Sequence, residues 1–143
     1  MTYSSQSSII INAPRERVWD ALTKPEQVKH YFFDTNLVTD WVVGSPIYFR
    51  GEYNGKTYED KGTVLEFDPM ESFSFNYWSS MSGIEDEPEL YQLLRYTLTD
   101  TLEGVKITID QSNVATAESA DHSAENWKKV LEGLKEYVLT ILQ

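Results

Sequence analysis

The sequence predicts an α+β domain in which a curved antiparallel sheet grips a long C-terminal helix around an apolar interior. Three observations carry that expectation. Trp127, Val130, Leu131, Leu134, Val138 and Ile141 recur at helical spacing and form one apolar stripe. Between Ile47 and Ile109 apolar residues recur instead at every second position, the period of half-buried strands. These strand segments follow one another through turns and not through helical crossovers, which describes a meander and not βαβ units. A chain of 143 residues fits a single domain, and no composition shift or internal repeat divides residues 1–143.

The elements follow in order. Ile9-Ile10-Ile11 closes a first strand, stopped by Asn12-Ala13-Pro14. Asn12 is placed to cap a short helix whose first turn takes Pro14 and whose apolar side carries Val18, Trp19 and Leu22. Thr23-Lys24-Pro25-Glu26 repeats the start signal for a second short helix bearing Val28, Tyr31 and Phe32. Leu37 to Val43 reads as a strand ending at Gly44-Ser45-Pro46, and Ile47, Phe49 and Gly51 alternate with Tyr48, Arg50 and Glu52. Asn54-Gly55 predicts a type I′ hairpin, because such a turn needs positive φ at both central residues. The return strand spans about 57 to 67. Phe73, Phe75 and Tyr77, then Leu94, Tyr96 and Leu98, then Val105, Ile107 and Ile109 each share one strand face. Ser123 is placed to cap the last helix, with Glu125 favourable to its dipole.

Composition excludes several function classes. Twelve Lys and Arg against 23 Asp and Glu leave a formal charge of −11, which repels phosphate backbones and anionic membranes, so neither nucleic acid nor membrane is an expected partner. Without cysteine there is no disulfide, thiol nucleophile or thiolate metal site. No run reaches the ~20 apolar residues of a membrane span, and the polar first eight residues carry no secretory pattern. A soluble cytoplasmic domain is the expectation.

Chemistry-bearing motifs are few. Neither G-x-x-x-x-G-K-[S/T] nor G-x-G-x-x-G nor H-E-x-x-H occurs. His30 and His122 are the only histidines, and both read as surface residues. No metal or other cofactor is expected. The acidic run Glu85-Asp86-Glu87, with Glu89, reads as a solvated loop, the alternative being a cation site or a lid. Arg50 and Arg95 lie within strands and are expected on the wet face in cross-strand pairs. The aromatic residues carry the strongest functional signal. Trp41, Phe49, Phe75, Tyr77, Tyr96 and Trp127 are expected to converge between sheet and helix, with the Tyr77 and Tyr96 hydroxyls as polar tips. A ligand-sized cavity and a filled core fit this pattern equally.

Ile11-Asn12-Ala13-Pro14, Val18-Trp19, Ala21-Leu22-Thr23, Pro25-Glu26, Val43-Gly44, Gly62-Thr63-Val64-Leu65-Glu66 running into Asp68-Pro69, and Asn126-Trp127 opening the last helix follow one another along nearly the whole chain. This succession resembles the activator-of-Hsp90-ATPase-homologue-like proteins of the START-like, polyketide-cyclase and birch-pollen-allergen superfamily. The resemblance implies a helix-grip fold, with a cavity between sheet and helix that holds lipids, sterols, hormones or polyketides in various relatives. Function varies more than fold among them.

Together these readings predict a module that binds a small hydrophobic or amphipathic molecule, with Phe75, Tyr77, Tyr96, Trp127, Leu131 and Leu134 lining the site and Trp41 and Phe49 completing it. One alternative is a cyclase- or hydrolase-like enzyme using Tyr77 or Tyr96 with a nearby Glu66. The other is a co-chaperone-like interaction domain that meets a basic protein partner through its acidic surface.

Overall fold

The computed structural model describes residues 2–80 and 82–141. Seven strands form one antiparallel sheet in the order β1-β7-β6-β5-β4-β3-β2. They are β1 (Tyr3–Ile11), β2 (Asn36–Val38), β3 (Pro46–Tyr53), β4 (Lys56–Asp68), β5 (Ser72–Ser79), β6 (Gln92–Thr101) and β7 (Gly104–Val114). Two short helices, α1 (Arg15–Thr23) and α2 (Pro25–Val28), separate β1 from β2, and the long α3 (Ala117–Ile141) closes the chain. A 3₁₀ turn, Pro88–Leu90, precedes β6.

The sheet arises where the alternation placed it. Asn54 and Gly55 adopt φ of 51° and 79° and join β3 to β4 with Tyr53 opposite Lys56, the turn expected from that dipeptide. Phe49, Phe73, Phe75, Leu94, Tyr96, Leu98, Ile107 and Ile109 are all buried, and α3 buries Trp127, Val130, Leu131, Leu134 and Val138 in the same core. The helix stripe and the strand faces are therefore two sides of one apolar layer. Among the described residues no helix is long and apolar enough to cross a membrane.

Four local expectations need correction. The capping position of α1 is Pro14, extended at φ −60° and ψ 142°, with no side-chain cap, so Asn12 lies outside the helix. β2 ends at Val38 and not at Val43. Asp40 Oδ1 accepts the Val42 amide at 3.0 Å and the Ser45 hydroxyl at 2.5 Å, and this local bonding competes with a strand ladder. The Ser45 hydroxyl, first among these donors, holds the exposed Asp40 carboxyl below its usual range. Trp41 follows with φ 59°. The third correction concerns α3, which starts at Ala117, six residues before Ser123. Thr116 Oγ1 accepts the Ser119 amide at 3.0 Å and supplies the cap. Asn126-Trp127 thus sits inside α3 and does not open it.

Fourth, Glu66 stands on the opposite face from Tyr77 and Tyr96. The β4–β5 register shifts between Val64 and Glu66, so that Leu65 and Glu66 both face out while Val64 and Phe67 stay with the core. Glu66 accepts the Ser74 hydroxyl at 2.9 Å and pairs with Arg95 at 3.5 Å. It cannot act with either tyrosine as the enzymatic alternative required.

Candidate functional site

The inner face of the sheet carries a continuous aromatic layer. Phe73 is central: its ring lies 4.5 Å from Tyr96 and 4.6 Å from Trp41, centroid to centroid. Phe75 contacts Phe49 at 5.4 Å, and Trp127 of α3 meets Tyr96 edge-on at 5.9 Å. Phe32, just beyond α2, fills the gap between sheet and helix, 6.0 Å from Phe49 and 5.7 Å from Trp127. Offset and edge-on geometries of this kind are the favourable ones for aromatic pairs.

These rings enclose a void of about 10 Å³. Trp41, Phe49, Phe75 and Tyr96 line it, and so do Tyr31 and Phe32, for which the sequence suggests only helix packing. A volume near 10 Å³ admits about one water, so the interior is closed around its own side chains. Leu131 and Leu134 are buried in the core but stand back from the void, and Trp127 and Tyr77 lie beside it. Burial raises the Tyr96 phenol above its ordinary range. Tyr31, raised first by burial, donates to the Ala21 carbonyl at 2.7 Å. Trp41 Nε1 donates to the Thr23 carbonyl at 2.8 Å, which turns the indole inward although no strand carries it.

One end of this layer is polar. Trp127 Nε1 donates to Gln111 Oε1 at 2.7 Å, and Gln111 Nε2 donates to Gln92 Oε1. Tyr77 donates its hydroxyl to Asp60 Oδ2 at 2.5 Å. Tyr58 and Thr35 share a hydroxyl–hydroxyl bond of 2.7 Å. The sequence reading missed Asp60, Gln111, Tyr58 and Phe32. Asp60 had a usable signal, since it lies four residues before the inward-facing Val64 and so in phase with it along β4.

The Tyr58–Thr35 bond ties the segment that carries Phe32 to the sheet, because Thr35 is only 2% exposed. Replacing Tyr58 with Phe leaves the Thr35 hydroxyl buried without that partner. The expected loss is about 1–2 kcal/mol in urea unfolding, with faster amide exchange through residues 31–36. A variant as stable as wild type with unchanged exchange would remove this tie.

Away from the layer, a hollow of about 270 Å³ lies on the outer face between Leu65, Glu66, Ser74, Leu93, Arg95 and Asp110. The Glu66–Arg95 pair sits in water there. Arg50 is on the wet face as expected, paired with Glu59 at 2.7 Å and stacked over Tyr48. In the acidic loop Asp86 is tied to Lys61 at 2.6 Å, while Met81 lies outside the described residues. Both histidines are exposed, and His30 stacks on Tyr137.

A family profile described as Activator of Hsp90 ATPase homolog 1-like protein matches residues 12–139. A solution structure of ChR145 from Cytophaga hutchinsonii is 41% identical and superposes with a TM-score of 0.83, covering 98% of this chain and 96% of its own. Protein MLL2253 from Mesorhizobium loti (19% identity, TM-score 0.77) covers 95% of this chain and 96% of its own. The Aha1 dimer from Colwellia psychrerythraea (19%, TM-score 0.74) covers the same shares. These last two share the fold alone. No curated protein matches the sequence.

Proposed function

This chain belongs to the Activator of Hsp90 ATPase homolog 1-like family, and from that membership we propose that it holds a small hydrophobic or amphipathic molecule between the sheet and α3. The observation that carries the reading is the aromatic layer between sheet and α3, whose void at rest admits only about one water and whose gap is filled by Phe32. Binding in this reading displaces Phe32. Its neighbours Phe33 and Asp34 hold φ of 50° and 56°, and Phe33 is 62% exposed, so the segment is a strained turn that the Thr35–Tyr58 bond holds to the sheet. Once Phe32 swings away, Trp41, Phe49, Phe75 and Tyr96 form the wall and Trp127, Leu131 and Leu134 the helix side. Tyr77 stands at the polar end. The Phe32 position supports an opening of this kind because one side chain bridges sheet and helix.

The test uses 1-octanol as an apolar probe, followed by tryptophan fluorescence and by chemical-shift mapping. Wild type is expected to show saturable changes centred on Phe75, Tyr96 and Trp127. Phe32→Ala is expected to lose about 3 kcal/mol of stability from the cavity it leaves, and to bind octanol about tenfold more tightly because the plug is gone. Changes confined to the outer face, or a Phe32→Ala variant that gains no affinity, would leave the filled core as the resting and working state.

A further inference from the structure

We infer that Asp60 is the anchor for a protonated amine carried by the bound molecule; this rests on the binding reading and names its ligand class. Asp60 is 8% exposed and belongs to the inner face, opposite Phe49 on β3 and Ser79 on β5. Its Oδ2 accepts the Tyr77 hydroxyl at 2.5 Å, while its Oδ1 is buried without a partner. Among the described residues the only other buried side-chain oxygen in that condition is Gln27 Oε1, which is neutral. Among the described residues Asp60 also takes part in no ion pair, whereas the more exposed strand carboxylates Glu59, Glu66 and Asp100 each meet an arginine. A buried carboxylate without a counter-ion is costly, and such groups persist where they meet a ligand or metal.

The surroundings select the cation. The Phe49 ring lies 6.0 Å from the Tyr77 ring and also lines the central void, so one aromatic wall runs from the void to the carboxylate. An ammonium there meets an anionic oxygen on one side and aromatic rings on the other, both of which attract positive charge. An alkyl tail would extend past Phe49 into the aromatic layer. The net charge of −11 draws cations towards the protein as a whole and disfavours fatty acids at this site.

The experiment compares octylamine, 1-octanol and octanoate on the full chain and on Asp60→Asn, in which the amide oxygen still accepts from Tyr77. Octylamine is expected to bind wild type at least about tenfold more tightly than octanol, with octanoate weakest, as a charge-assisted bond predicts. Asp60→Asn is expected to erase that preference while octanol affinity stays within about twofold. A wild-type measurement guards against a variant that fails to fold. The Asp60 carboxyl carbon resonance is expected to move with octylamine and to stay still with octanol. If octanol binds and octylamine does no better, or if the resonance does not respond to the amine, the anchor is overturned and the binding reading stands. If neither probe binds, both fall together.

Discussion

Raising the pH above about 10 is expected to unfold this domain steeply. Tyr31, Tyr77 and Tyr96 have phenols raised above their ordinary range, in each case chiefly by burial, with the Asp60 charge adding to Tyr77. In the unfolded chain they release protons near pH 10, while in the native protein they keep them. Above that pH the folded state binds more protons than the unfolded one, so its stability is intact below the unfolded value and falls as pH rises towards the folded values. Each such group removes about 1.4 kcal/mol per pH unit, so three remove roughly 4 kcal/mol per unit from a domain stability of ~5–15 kcal/mol. Circular dichroism and tyrosinate absorbance, recorded together, check this: the last tyrosines should ionise only as the dichroism collapses. Tyr96→Phe should flatten the alkaline slope by about a third. Ionisation of all nine tyrosines with native dichroism retained would show that none is shielded.

The elements that sequence placed well are those in which one periodic signal fixes both the local structure and its burial. The α3 stripe and the alternating faces of β5, β6 and β7 are of this kind, because core packing and backbone period favour the same answer. The failures lie where a short polar side chain decides the backbone. Asp40 turns the chain by accepting Val42 and Ser45, and so ends a β-rich run that propensity alone would extend. Thr116 starts α3 earlier than the first apolar residue of the stripe suggests, since residues 117–126 bury little beyond Ala120. The one-residue bulge at Leu65 moved Glu66 to the other face, and no periodicity announces a bulge.

The candidate site was legible in its apolar half. Phe49, Phe75 and Tyr96 line the void because strand alternation aims them there, and Trp41 joins them for a different reason, the Thr23 carbonyl that holds its indole. The polar half was not legible in the same way. Asp60, Gln92 and Gln111 interrupt inner faces that otherwise read as apolar, and an isolated polar residue in a strand looks like a surface position until the register is known. Phe32 escaped because it follows α2 in a turn, where neither helix nor strand period applies.

The glycine in Gly62-Thr63-Val64 carries the other large effect, and its cause is contact and not backbone freedom. A Cβ at Gly62 would lie 1.7 Å from the Asn76 carbonyl oxygen and 2.7 Å from the carbonyl carbon. Both belong to the backbone of β5, which is held on either side by the pairs Lys61–Trp78 and Val64–Phe75. The Asn76 side chain also accepts the Thr63 amide at 2.6 Å, a bond from β4 that locks the same approach. Neither strand can retreat without parting the pair that positions Asp60, Tyr77 and Phe75. Gly62→Ala is therefore expected to lose about 3 kcal/mol or more in urea unfolding, and Gly62→Val to leave no folded protein. Gly133→Ala is the matched control: its Cβ would meet Tyr31 Cβ at 3.3 Å on a helix that can shift by a few tenths of an ångström. Helix propensity there favours alanine by about 1 kcal/mol, so the net change should be small. Equal and mild losses at both glycines would mean that β4 and β5 do not pinch at Gly62. A loss confined to Gly62 would mean that this contact fixes the wall on which the aromatic layer and its carboxylate stand.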